Sequence, residues 1–177
     1  MCVVEFQKRG LPHAHILLIL NEIHRQKLHF DLDSFVSAEI PPVDSPTATG
    51  QEQQEKLQQL VKAHMIHGPC GTLNMKSPCM TNNECSKHFP KKFADQSFFP
   101  ENNGHPVYRR RSTEQGGATF EINNALIDNR WIVPYNPFLL LKFECHINVE
   151  VCSSALAAKY LYMYITKVRF PNYVKIQ

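Results

Sequence analysis

The amino-acid sequence predicts a mixed α+β domain, and three observations carry that expectation. Short apolar runs at the N-terminus, such as Ile16 to Leu20, have strand length and follow a turn-forming Lys8-Arg9-Gly10. Two later stretches, around 51–67 and 155–167, carry apolar residues at helical spacing. Between them lies a region rich in Cys, Pro, Asn and Gly with only fragments of apolar sequence. The 177 residues are 43% hydrophobic and 20% charged, ordinary values for a folded chain, which excludes general disorder. Twelve prolines against seven glycines disfavour a plain helical bundle. A net charge of +3 announces no polyanion partner by itself.

The elements are expected in this order. Cys2 to Gln7 and His13 to Leu20 form a hairpin about the turn at 8–10, and 21–30 follows as a short helix. Residues 31–50, broken by Pro41-Pro42 and Pro46, read as a linker. Over 51–68, Leu57, Leu60, Val61, His64 and Met65 mark one helix face, which Gly68-Pro69 ends. The stretch 69–129 reads as a loop-dominated insert rich in cysteine and basic residues. The stretch 130–168 combines strand and helix. In the strand, Cys145, Ile147, Val149 and Val151 alternate with polar residues, and Cys145 and Cys152 are expected to be small core side chains. A helix capped by Ser153-Ser154 then runs to Val168, ahead of a divergent tail over 169–177.

Six cysteines and nine histidines are the compositional oddities. Met1-Cys2-Val3-Val4-Glu5 shows no basic or apolar export signal, so reduced thiols or metal ligands are expected rather than disulfides. No apolar run reaches the roughly eighteen residues of a membrane span.

Three groups of residues carry chemistry. On a strand, His13 and His15 share a face about 6.6 Å apart, close enough for two imidazoles to meet one cation. A three-residue turn at 8–10 sets Glu5 opposite His13, adding a carboxylate to that face. Two imidazoles and a carboxylate with open positions suit a divalent cation that also holds substrate oxygens. In the 155–167 helix, Ala158, Leu161, Ile165 and Val168 form an apolar stripe, whereas Tyr160, Tyr164 and Lys167 share another face. A phenol becomes a useful nucleophile when a cation favours its phenolate. Finally, Cys70, Cys79 and Cys85, with His67 three residues before and His88 three after, either close a tetrahedral zinc site or stand as buried thiols. The basic residues Lys91, Lys92, Arg109, Arg110 and Arg111 interleave with aromatics in a manner suited to single-stranded nucleic acid, and Arg9 at the hairpin tip suits a phosphate contact.

Read in order, several motifs resemble one family. They are Glu5-Phe-Gln-Lys-Arg-Gly-Leu-Pro-His-Ala-His15, His67-Gly-Pro-Cys-Gly71, Ser77-Pro-Cys-Met80 and Cys85-Ser-Lys-His-Phe-Pro-Lys91. Pro106-Val-Tyr-Arg-Arg-Arg111, Asn129-Arg-Trp-Ile-Val-Pro-Tyr-Asn-Pro137, Cys145-His-Ile-Asn-Val-Glu-Val-Cys-Ser-Ser154 and Lys159-Tyr-Leu-Tyr-Met-Tyr164 complete the set. Together, spanning 1–168, they resemble the replication-initiator domain of Helitron transposons, a helicase-associated HUH endonuclease.

That resemblance implies a Rep-type central antiparallel sheet with flanking helices, and single-stranded DNA as partner. It implies Mg²⁺ or Mn²⁺ held by His13 and His15, with Glu5 as third ligand. Tyr160 and Tyr164 become nucleophiles that leave a 5′-phosphotyrosine, with Lys167 assisting, and His67 becomes the preferred fourth zinc ligand. It further implies a helicase domain as companion and a nuclear place of action. HUH domains carry strand material ahead of the metal-binding strand, so the sheet is expected to be N-terminally incomplete here. The segment after Tyr164 also departs from the family's basic-glycine signature. The alternative expectation is an inactive, transposon-derived DNA-binding remnant stabilised by zinc.

Overall fold

The structure, a computed structural model, describes residues 2–6, 12–101, 105–122 and 125–152. It is a mixed α+β arrangement of small antiparallel ladders and three α-helices. Strands β1 (Cys2–Phe6) and β2 (Pro12–Ile16) pair first, and helix α1 (Glu22–Phe30) follows. Helix α2 (Ala48–His64) leads to a hairpin of β3 (Met80–Thr81) and β4 (Glu84–Cys85). A further hairpin, β5 (Phe120–Ile122) with β6 (Ala125–Ile127), precedes helix α3 (Pro137–Phe143). Among the described residues the strands form three separate two-stranded ladders. None of the described helices is long and apolar enough to cross a membrane.

Helix α1 starts where Asn21 accepts the His24 N–H at 3.0 Å, and α2 starts three residues earlier than expected because Thr47 caps Gly50 at 3.2 Å. The stretch 31–50 is no linker. Leu32, Val36, Ala38 and Ile40 are all buried, and Ser37 pairs with Tyr135 through two backbone hydrogen bonds of 2.8 and 2.9 Å. The alternation of Val36, Ala38 and Ile40 is a strand pattern that the neighbouring prolines obscured.

Two expectations for the C-terminal half also change. The run Phe138 to Leu141 is helical, because Asn136 caps the Leu139 N–H at 2.9 Å and Pro137 occupies the first turn, where its missing donor costs nothing. The 145–151 stretch keeps its alternation, with Ile147, Val149 and Val151 half-buried, but it forms no ladder. Single bonds hold it instead, from the Val149 N–H to the Pro134 carbonyl and from the Val151 N–H to the Tyr108 hydroxyl. Cys145 and Cys152 are exposed rather than core residues.

Three small apolar cores form, and two of them include residues of the segment 129–135. Ile40, Val61, Met65, Ile132, Tyr135 and Leu140 form the first, joining α2 to α3. Leu28, Leu32, Val36, Ala38 and Tyr108 form the second. Trp131 anchors the third, with Cys70, Cys85, Ala125 and Ile127. Backbone bonds tie this spine to the chain after α2, from His67 N–H to Trp131 carbonyl (2.9 Å) and Val133 N–H to Met65 carbonyl (2.8 Å).

A polar cluster fills the centre. Arg110, 4% exposed, donates to the carbonyls of Asn129 (2.6 Å), Ile132 (2.7 Å) and Ala38 (3.3 Å). Burial lowers its pKa to about 10, opposed by Glu39, Tyr108 and Glu150, and it stays charged at neutral pH. Glu39, 5% exposed, accepts from the Arg111 backbone (2.7 Å) and guanidinium (2.7 Å) and from Arg109 (3.1 Å). Burial pulls the Glu39 pKa upward, yet the Arg111 hydrogen bonds and the Arg109 and Arg111 charges outweigh it and hold the carboxyl below its ordinary value of 4.5.

Removing this carboxylate strands two arginines. Glu39→Ala is expected to lower unfolding free energy by about 3 kcal/mol in a denaturant titration. Because the folded pKa is depressed, the contribution is present above pH 4.5 and disappears as pH falls through the lower folded value. Glu39→Gln is expected to flatten that acid limb of the stability curve.

Candidate metal centre

Four side chains converge beside Trp131. The donor atoms of His67, Cys70, Cys79 and Cys85 all lie within 4.8 Å of one another, and among the described residues this is the group able to hold a metal ion. Metal–sulfur bonds of about 2.3 Å at tetrahedral angles place sulfurs about 3.8 Å apart, so the cluster has the dimensions of a four-coordinate site. His67 Nε2 and Cys85 Sγ are already 3.3 Å apart.

Local sequence explains the convergence. Helix α2 ends near Met65, and its continuation is held against residues 131–133, which continue from a short 3-10 turn at Asn129–Trp131, and this sets His67 in place. Gly68 turns the chain at φ +107, and a side chain there would sit 2.9 Å from the Cys70 nitrogen and 3.0 Å from the Trp131 ring. Asn82 and Asn83, at φ 50 and 66, make a primed two-residue turn between β3 and β4. That turn folds Cys85 back over Met80, beside Cys79, and the Ser86 N–H closes onto the Cys79 carbonyl at 2.8 Å.

The surroundings suit thiolates and a neutral imidazole. Burial and the neighbouring Cys79 and Cys85 thiols push the Cys70 thiol up to about 12, so three thiols this close do not all ionise without a cation. Burial also raises Cys85, but the backbone N–H groups of Phe89 and Lys87, with the other two thiols, overcome it and leave this pKa below the ordinary thiol value. Ser77 Oγ lies 3.3 Å from Cys79 Sγ. Burial, then the Lys91 and Lys87 charges, lowers the His67 pKa, favouring the unprotonated ring that ligation requires. Phe89 stacks on that ring, with centroids 4.2 Å apart. Sequence reasoning missed Ser77 and the Asn82-Asn83 turn; the asparagine pair was the available signal.

His88 is not in the cluster. It sits at φ 55, donating its N–H to the Cys85 carbonyl, and serves the turn after the last cysteine. The N-terminal hairpin has Glu5 opposite His13 and Val3 opposite His15. His13 is exposed and His15 half-buried. Arg9, Tyr160, Tyr164 and Lys167 lie outside the described residues.

The basic residues separate into two kinds. Arg110 is buried on carbonyls, whereas Arg109 and Arg111 pair with Glu39 while 36% and 35% of their side chains stay exposed. Lys92 is exposed, and Lys91 is half-buried with its ammonium 4.9 Å from the Phe89 ring centre.

No protein-family model matches the chain, and no curated protein matches it.

His67→Ala is expected to weaken metal retention at least tenfold in competition with a chromophoric chelator, whereas His88→Ala retains metal as the wild type does. Ser77→Ala is expected to cost about tenfold through loss of its contact with Cys79. Equal retention by the two histidine variants would contradict the ligand assignment.

Proposed function

We propose that the chain is a single-stranded DNA endonuclease and strand-transferase domain of the rolling-circle type, stapled by a structural zinc ion. The observation that carries the catalytic part is the pairing of β1 with β2. It sets Glu5 opposite His13, with His15 two residues along the same strand, so three oxygen- and nitrogen-bearing positions share one face of the hairpin. Zinc suits the one-histidine, three-cysteine site because soft thiolates and imidazole are its preferred ligands. Magnesium or manganese suits the hairpin, where a carboxylate and two imidazoles leave positions for phosphate oxygens.

In this reading Glu5, His13 and His15 hold the catalytic cation, which when bound supplies charge neutralisation at the scissile phosphate. Tyr160 or Tyr164 attacks phosphorus through its phenolate oxygen as the bond to the 3′ oxygen breaks. The products are a tyrosine–5′-phosphate ester and a free 3′-OH. Lys167 favours the phenolate by its charge, and the second tyrosine allows a second strand transfer. A companion helicase domain and a nuclear setting belong to the same reading.

A second reading is a non-catalytic DNA-binding remnant. It is favoured by one observation: the donor set that the described residues bring together is the four-ligand kind that leaves no position for substrate.

Incubation of a single-stranded oligonucleotide with Mn²⁺ is expected to give a covalent protein–DNA adduct visible by denaturing electrophoresis. Tyr160→Phe/Tyr164→Phe is expected to abolish it, and His13→Ala to reduce it at least a hundredfold. Equal adduct from the double tyrosine variant sinks the mechanism. Metal-independent binding with no adduct under any condition would establish the remnant instead.

A further inference from the structure

We propose that the ridge of Lys87, Lys91, Lys92 and Phe93 beside the metal centre is the surface on which a single strand of nucleic acid lies. The proposal rests on the DNA-processing reading above and specifies where that partner is held. It begins from the cations that the fold leaves at the surface. Arg110 is buried, Arg109 and Arg111 are held in ion pairs with Glu39, and Arg130 is forked onto Asp128 at 2.7 and 3.0 Å. Lys87 and Lys92, by contrast, are exposed, six residues or fewer from an exposed phenylalanine.

That phenylalanine is held as a platform. Phe93 is 41% exposed, although a ring of this size is ordinarily withdrawn from water. The Arg130 guanidinium lies 4.7 Å from its ring centre, and Asp128 fixes that guanidinium in turn. The ring is thereby backed by a cation and oriented before any ligand arrives, which removes an ordering cost from binding. A cation-backed aromatic with lysines close to it in sequence offers both terms of single-strand recognition: stacking on a base and neutralisation of phosphate.

The backbone is equally fixed. The Lys91 N–H donates to the Arg130 carbonyl at 3.0 Å, and Ala94 exchanges hydrogen bonds of 3.1 and 2.8 Å with Arg110. Residues 91–94 are thus clamped at one end on Arg130 of the spine and at the other on Arg110, with Lys92 and Phe93 between the clamps. Neighbouring acids are engaged: Asp128 with Arg130, Asp95 with the Gln115 amide, and Glu150 with the Asn148 amide. Burial, then the Arg110 charge, lowers the Lys91 pKa against the smaller opposing pull of Glu150.

A competing explanation is that these lysines balance the negative charge of three thiolates. It accounts for Lys87 and Lys91, whose charges reach His67, but not for Lys92 or for the exposed ring of Phe93. Those two residues therefore carry the test.

The experiment is fluorescence anisotropy of labelled oligothymidylate with the full, zinc-loaded chain, over a salt series. Lys92→Ala is expected to reduce the slope of log affinity against log salt by about 0.7, one phosphate contact on a single strand. Phe93→Ala is expected to weaken binding about tenfold with the slope unchanged, and Phe93→Trp to restore it. Zinc content equal to wild type shows that each variant is folded. If the wild type binds and both variants match it in affinity and slope, this surface is overturned while the DNA reading survives. If the wild type does not bind at all, both fall. Normal binding without a covalent adduct removes the catalytic step alone and leaves the surface standing.

Discussion

A buried carboxylate set against three consecutive arginines is the interaction on which the rest of this structure depends. Glu39 receives Arg109 and Arg111, and Arg110 between them turns the other way onto the carbonyls of Ala38, Asn129 and Ile132. Asn129 completes the cluster, accepting the Ile40 N–H at 2.8 Å and donating to the Arg111 carbonyl at 2.9 Å. Three chain segments far apart in sequence are thereby locked at one point, and the apolar cores form around it. No single core is large, so the polar lock determines how they register against one another. Charge buried in this way is costly unless every donor and acceptor is matched. Among the described residues no buried side-chain polar atom lacks a partner.

The second anchor is Trp131, between the two spine residues that the polar lock holds. Trp131 packs with Cys70 and Cys85 in the third core, while its carbonyl holds the His67 N–H. The polar lock thus sets the spine, and the spine sets the histidine and the floor of the metal centre. Between Ile66 and Phe93 the regular structure amounts to two strands of two residues each. A four-ligand cross-link is what such a stretch requires to hold one conformation.

Much of this was legible in the sequence, for reasons that differ by residue. The hairpin register followed from a turn of known length, and α1 and α2 from the spacing of their apolar residues, though the Thr47 cap that starts α2 was not read. His67, Cys70, Cys79 and Cys85 were nameable from their chemistry, but their irregular spacing hid the geometry, because a primed turn at Asn82-Asn83 rather than a standard ligand spacing closes the site. The ion pairs of the arginine triad were not legible, because charge and aromatic neighbours look alike whether or not a guanidinium meets a buried carboxylate. Its partner, Glu39, lies 70 residues away from Arg109 and inside a stretch that prolines made look like a linker. Short apolar runs such as Phe138 to Leu141 carry no period, so only the Asn136-Pro137 start signal identified a helix.

The claim that the cysteine cluster is a closed zinc site is tested most directly by X-ray absorption at the zinc edge on the purified chain. The account predicts one zinc per chain with three sulfur neighbours at about 2.3 Å and one nitrogen at about 2.0 Å. It also predicts that His67→Ala replaces the nitrogen with a water oxygen while the sulfur shell persists. A metal-free chain with reduced thiols, or a zinc shell of oxygen and nitrogen alone, would contradict it.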